Sequence, residues 1–229
     1  LHGVPVGIKD IYDTAGLLTT YGSPIFADNV PDTDAASIAN LKAAGAVIMG
    51  KTVTTEFACG DPPATLNPWH ADRTPGGSST GSAVGVAAGV FPMAMGSQTA
   101  GSVLRPAAYN GVVGLKPSMG RVSRRGVIPV SWSVDTLGTF SRSVEDAALM
   151  LSALSGHDPD DPFSADLPPT SPALTQDALG MPPRIGLLRT FFLERCEDDV
   201  LDHIEGSVAS KLADAGAQLG DVAVDYDMD

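Results

Sequence analysis

Apolar residues along this chain switch between a period of two and a period of about 3.6, and the switches mark out strands and helices in turn. Residues 4–9 alternate around Val4, Val6 and Ile8, which predicts a strand. Residues 10–20, with Asp13, Thr14 and Gly16, read as a loop. Ala35, Ile38, Leu41 and Ala44 repeat with helical spacing over 34–44. Gly45 then suits a C-cap, and residues 46–49 read as a buried strand. Residues 65–77 read as loop. Residues 80–90 read as a helix whose Gly81, Gly85 and Gly89 share one face and permit close backbone approach. A short strand over 92–96 and a short helix over 102–109 follow, then strands over 112–115 and 126–130. Residues 143–154 predict a clear helix, with Ser143 as N-cap and Asp146 at the third position.

Residues 156–183 are rich in Pro, Asp and Ser and predict a long loop or linker. A strand (184–188), an acidic helix (198–215) and a strand (218–224) come after it. There is no internal repeat. The alternation of strands and helices predicts an α/β fold with helices on both faces of a sheet.

Charge sharpens this division. The net charge is −13, but residues 1–155 carry 10 basic against 11 acidic side chains, and residues 156–229 carry 4 against 16. Such a surplus argues against a nucleic-acid-binding face and fits a solvated acidic surface. The 229 residues suffice for one sizeable core or two small ones. Cys59 and Cys196 form no C-x-x-C, and His2, His70, His157 and His203 lack ligand spacing. Neither a disulfide scaffold nor a metal site is therefore suggested, and no organic cofactor is expected for the serine chemistry described below. The most apolar stretch, 82–96, is shorter than the ~20 residues of a membrane span and is interrupted by Gly and Pro. No membrane partner is expected. No signal peptide opens the sequence, and the expected location is cytoplasmic. The chain opens at Leu1 and ends just after a strand-like run. It reads as part of a longer protein, and these residues alone are expected to be poorly active.

The candidate chemistry lies in two Gly-rich stretches. Ser78 sits in Pro75-Gly76-Gly77-Ser78-Ser79-Thr80-Gly81-Ser82, and Ser102 in Gln98-Thr99-Ala100-Gly101-Ser102. Lys9 lies upstream at the end of an apolar run. A Ser hydroxyl needs a base to become a good nucleophile, and a lysine serves if burial makes it neutral near pH 7. A second serine could carry the proton between them. Other readings compete. A Gly/Ser linker lacks the apolar run that follows Gly81, and a Walker loop needs a Lys after its glycines. Gly77-Ser78-Ser79-Thr80-Gly81 also fits the G-x-S-x-G nucleophile elbow, but a loop precedes it rather than a strand, leaving His157 or His203 as partners. On residue type alone Ser102 also suits a helix N-cap, and Lys9 a surface position.

At these residues the chain resembles the amidase signature family. The resemblance is carried, from the start to about Gly156, by GVPVGIKD, GGSSTGSAVGVAAG and SQTAGSVLRPAAYNGVVGLKP. It implies a mixed-sheet α/β/α sandwich, present here in part. Residues 1–155 would be its catalytic core, 156–183 a loop or linker, and 184–229 a strand-helix-strand continuation of the same domain. It implies a hydrolase of carboxylic amides acting through a covalent acyl-enzyme. Ser102 resembles the nucleophile, Ser78 the bridging serine that the family holds by a cis peptide bond, and Lys9 the base. The N–H groups of Thr99, Ala100, Gly101 and Ser102 resemble the oxyanion hole. Gln98, where many members carry Asp, and Arg105, three residues after Ser102 rather than two, would touch a small-molecule amide substrate. A homodimer is left open. Two alternatives remain: the A-type, glutaminase component of a tRNA-dependent amidotransferase, whose usual Asp-Glu-Phe-Ala reads Thr55-Glu56-Phe57-Ala58 here, and a non-catalytic binding module.

Overall fold

The computed structural model describes residues 1–168, 170, 181–189 and 193–223. Residues 1–173 and 174–229 form two compact units.

The first unit is built on a five-stranded mixed sheet. Its strands are β1 (Pro5–Lys9), β2 (Val47–Thr52), β3 (Met93–Gln98), β4 (Val113–Leu115) and β5 (Thr136–Ser141), in the order β2-β1-β3-β5-β4. β1 runs parallel to β2 and β3, and β5 runs antiparallel to β3 and β4. Alternation along the strands sends side chains to two cores. Val6, Ile8, Met93, Met95 and Leu137 meet Ile38 and Leu41 of α1 (Ala36–Ala43) and Met150 and Leu154 of α4 (Val144–Leu154). On the opposite face Ala94 and Phe140 meet Ala83 and Val86 of α2 (Thr80–Ala87) and Ala107 of α3 (Leu104–Asn110). The result is the α/β sandwich with a mixed sheet that the sequence predicts.

In the first unit the elements agree with the sequence reading to within a few residues, with three exceptions. β2, expected to be buried, is the edge strand of the sheet, and its Val47 and Met49 are exposed. Residues 126–130 form no strand; they contribute one antiparallel bridge, Tyr12 to Val127, and the Ile128 N–H donates to Ile11 O. Pro129, which has no N–H to offer, stops the pairing from growing. Conversely, β5 carries no strong strand signal, because Thr136-Leu137-Gly138-Thr139-Phe140-Ser141 is polar at every second or third place. All six residues are nevertheless buried, between β3 and β4 and under helices on both faces.

Two glycines in α2 act as the spacing suggests. A Cβ on Gly81 would lie 2.6 Å from the Val53 nitrogen, and one on Gly85 would lie 2.2 Å from the Phe91 ring. Gly89 instead lies beyond the helix end with φ of +73°. Ser143 caps α4, its hydroxyl accepting from the Asp146 N–H at 3.1 Å. The first part of the acidic loop is tied down. Asp158 accepts from the Ser123 hydroxyl and Arg125, Asp161 from the Arg124 N–H, and Phe163 stacks on Trp132. Residues 169 and 171–180 of that loop lie outside the described residues.

The second unit pairs β6 (Arg184–Leu188) in parallel with β7 (Gln218–Val222). The strand expected over 218–224 ends at Val222, and residue 224 lies outside the described residues. The expected helix over 198–215 is two short α-helical pieces, α5 (Asp198–Asp202) and α6 (Ser210–Asp214), joined by a π-helical stretch at His203–Ala209. Arg189 bonds both Asp221 and Glu205. Among the described residues, no helix is long and apolar enough to cross a membrane.

Candidate active site

The site gathers at one edge of the five-stranded sheet, where β1 and β3 end and β5 begins. Lys9, the last residue of β1, is fully buried. Its amine donates to the Ser78 hydroxyl at 2.7 Å and to the Ser97 hydroxyl at 2.8 Å. Burial outweighs the opposing pull of Asp135 and Cys59 and lowers its pKa to about 7. The lysine is therefore balanced between its charged and neutral forms near physiological pH.

Ser78 follows a cis peptide bond from Gly77. The Ser78 carbonyl accepts from the Thr55 N–H at 3.3 Å and the Thr54 hydroxyl at 3.2 Å. Asn110 and the Thr80 hydroxyl hold the carbonyls of Pro75 and Gly76. The Gly-rich stretch is thus a pinned turn at the start of α2 rather than a linker. Ser79, the central serine of the G-x-S-x-G pattern, is completely buried and bonded through its hydroxyl to Ser97 O at 3.2 Å. It is closed off from any substrate, and neither His157 nor His203 is among its bonded partners.

Ser102 sits in the turn that links β3 to α3, and its carbonyl accepts from the Ser79 N–H at 3.4 Å. Ser102 and Ser78 line the same cavity of about 370 Å³. No Ser78–Ser102 hydroxyl bond is present among the described residues. Such a contact commonly tightens only once substrate is bound. The N-cap of α3 is Val103, not Ser102. Gln98 takes that work: its side-chain oxygen accepts from the Val103 and Leu104 N–H groups, each at 2.9 Å. The four preceding N–H groups, of Thr99, Ala100, Gly101 and Ser102, donate to no other group among the described residues. Four successive free donors beside a serine are a suitable place for an oxyanion.

Arg105 lines the cavity and directs Nε and Nη2 to the Gly77 carbonyl at 3.2 and 2.8 Å. It is the sole formally charged side chain among the lining residues. Gln98 is buried against the helix start and is not part of the cavity wall. Thr55 Oγ1 is buried at the wall without a partner, and Cys59 stands at the rim. Among the described residues, no group of three or more His, Cys, Asp or Glu is placed to hold a metal ion.

Sequence reasoning missed two residues. Ser97 is the second partner of Lys9; its signal is a serine at the polar end of an otherwise apolar strand. Asp135 faces the same edge, and nothing in its sequence neighbourhood marks it.

Comparison with known proteins identifies the family. A family model described as Amidase matches residues 1–227. The A-type subunit of glutamyl-tRNA(Gln) amidotransferase from Carboxydothermus hydrogenoformans is 44% identical over 234 residues, 99% of this chain and 48% of that protein. Its counterpart of the same name from Persephonella marina is also 44% identical, over 98% and 47% respectively. Among solved structures, native peptide amidase from Stenotrophomonas maltophilia matches with a TM-score of 0.87 at 40% identity, over 97% of this chain and 48% of that one. The chain spans about half the length of the relatives it matches. With the family model covering residues 1–227 and relatives of 40–44% identity matching nearly all of this chain, the chain belongs to the amidase signature family.

Proposed function

We propose that the protein to which this chain belongs hydrolyses carboxylic amides through Ser102, Ser78 and Lys9. The observation that carries the reading is the buried Lys9 amine, with a pKa near 7, in contact with the Ser78 hydroxyl. Neutral Lys9 takes the Ser78 proton while Ser78 takes that of Ser102. The Ser102 oxygen attacks the amide carbon, and the resulting oxyanion is met by N–H groups of residues 99–102. The proton returns along the same path to the leaving amine, and water then cleaves the acyl-enzyme. Arg105, whose Nη1 is not engaged by Gly77, would meet an acceptor group of the substrate. The family match over both units supports residues 184–229 as a continuation of the same amidase domain.

Protonated Lys9 cannot accept a proton, so activity rises with pH through about 7. The test combines a fluorophosphonate adduct map with Lys9→Arg in the full-length protein. An adduct on Ser102 and an inactive Lys9→Arg are expected, since Arg stays charged. An adduct on Ser79, no serine adduct, or near-normal turnover by Lys9→Arg overturns the reading.

The 44% identity to A-type amidotransferase subunits favours a second reading, in which the amide is that of glutamine and the ammonia passes to a partner protein. Glutaminase activity that appears only with a partner would select it. Hydrolysis of varied amides by the protein alone would select the first.

A further inference from the structure

Asp135 stands immediately before β5 and plays no part in the scheme above. It is only 8% exposed. Its Oδ1 accepts from the Thr99 hydroxyl at 2.6 Å, and its Oδ2 accepts from the Val130 and Ser131 N–H groups at 2.7 and 2.8 Å. Arg124 approaches it but donates to its backbone carbonyl, not to its carboxylate. Three donors therefore hold this carboxylate, with no salt-bridge partner among the described residues. A buried charge satisfied by neutral donors keeps its field, which reaches neighbours strongly in a poorly polar interior.

The donors and the neighbour are informative. Thr99 is the first residue of the free N–H run that ends at Ser102. Asp135 precedes Thr136, the partner of Gln98 across β3 and β5, and the adjoining Ser97 holds the Lys9 amine at 2.8 Å; among the charged groups around Lys9, Asp135 most favours its protonated form. The other groups facing Lys9 are the Ser78 and Ser97 hydroxyls and the Cys59 thiol, whose influence has the same sign. Asp10, next in the chain, is engaged by Thr20 and Lys51. Tyr12 spends its hydroxyl on Gly96 O.

We propose that Asp135 is a positioning residue of the amide-hydrolysing site: through Thr99 it anchors the N–H run that carries Ser102, and its charge sets the pH at which Lys9 becomes a base. The proposal rests on the serine–lysine reading above. It separates two effects that a single buried carboxylate could hide. The hydroxyl bond governs how well the loop is placed, and the charge governs where the rate turns on.

The test is the fluorophosphonate labelling rate of Ser102 against pH in the full-length protein, where the serine oxygen displaces fluoride from phosphorus and no amide substrate need be known. Asp135→Asn removes the charge that favours protonated Lys9, so the midpoint of the rising limb moves down by roughly one pH unit while the plateau falls. Thr99→Val removes only the hydroxyl, so the plateau falls roughly tenfold and the midpoint stays. If Asp135→Asn does not fold, Asp135→Glu replaces it; a lowered plateau with an unmoved midpoint is then expected. An unmoved midpoint in folded Asp135→Asn, a moved one in Asp135→Glu, or an undiminished plateau in Thr99→Val overturns the proposal. A wild-type profile with no limb at all overturns the lysine base itself, a distinct failure visible before any variant is made.

Discussion

Replacing Lys9 by methionine keeps a stem of similar length and removes the amine, and the consequence for stability depends on pH in a calculable way. The unfolded lysine titrates near ~10.4, whereas the buried one titrates at about 7. Below pH 7 both states hold the proton, and the folded protein bears the whole cost of a buried ammonium. The gap between the two pKa values corresponds to roughly 4–5 kcal/mol. Between pH 7 and ~10.4 the folded state has released its proton while the unfolded state still holds one. The cost then shrinks by about 1.4 kcal/mol per pH unit, so the wild type gains stability as pH rises. Methionine carries no such dependence. It does leave the Ser78 and Ser97 hydroxyls without the amine, a loss of about 1–3 kcal/mol each that does not vary over this range. The unfolding free energy of the wild type relative to Lys9→Met is therefore expected to rise by roughly 2 kcal/mol between pH 7 and pH 9, a little less than the full slope because the buried lysine is half deprotonated at pH 7. Urea denaturation of both full-length proteins at unit pH intervals measures it, and groups that titrate alike in both proteins cancel in the difference. Parallel stability curves between pH 7 and 9 would mean that Lys9 keeps its proton, and the reasoning that makes it a base would fail.

Ser97→Ala removes one of the two hydroxyls that fix the Lys9 amine; steady-state kinetics should show kcat reduced roughly tenfold with KM little changed. Gly81→Ala drives a Cβ to 2.6 Å from a backbone nitrogen that cannot yield as a flexible side chain would, and should cost about 1–3 kcal/mol by urea titration. Ser143→Ala removes the cap of α4, far from the cavity, and should lower stability by about 0.5–2 kcal/mol without changing kcat.

Much of the first unit was legible because its elements obey local rules. Val6 and Ile8 mark β1 by alternation, Ile38 and Leu41 mark α1 by period, and Ser143 with Asp146 marks the start of α4. The two serine stretches and Lys9 were readable through their order and composition. What escaped was set by distant neighbours. β5 is a strand because its partners and two helical layers bury both of its faces, not because its own residues favour one. Ser97 is a partner of Lys9 because β3 lies beside β1, which no local window shows. Phe57 and Ala58 adopt left-handed backbone conformations, supported by a bond from the Phe57 N–H to Tyr21 O and by contact of Phe57 with Phe26. That turn brings Thr55, Ala58 and Cys59 to the cavity; the resemblance singles out Thr55-Glu56-Phe57-Ala58, but no local pattern marks its backbone conformation.

The reversed direction of β5 has a geometric consequence. Strand direction decides which end of a strand lies at a given margin of the sheet. β1 and β3 run the same way and deliver their last residues, Lys9 and Gln98, to one margin. β5 runs against them, so its first residues arrive there instead. Had its six residues run parallel to β3, Asp135 would stand at the far margin, roughly 20 Å away at about 3.3 Å per residue. At that distance the Coulomb interaction with the lysine would be several-fold weaker than between near neighbours, and no side chain could span to Thr99. One reversed strand converts a carboxylate 126 residues downstream of Lys9 into its electrostatic neighbour.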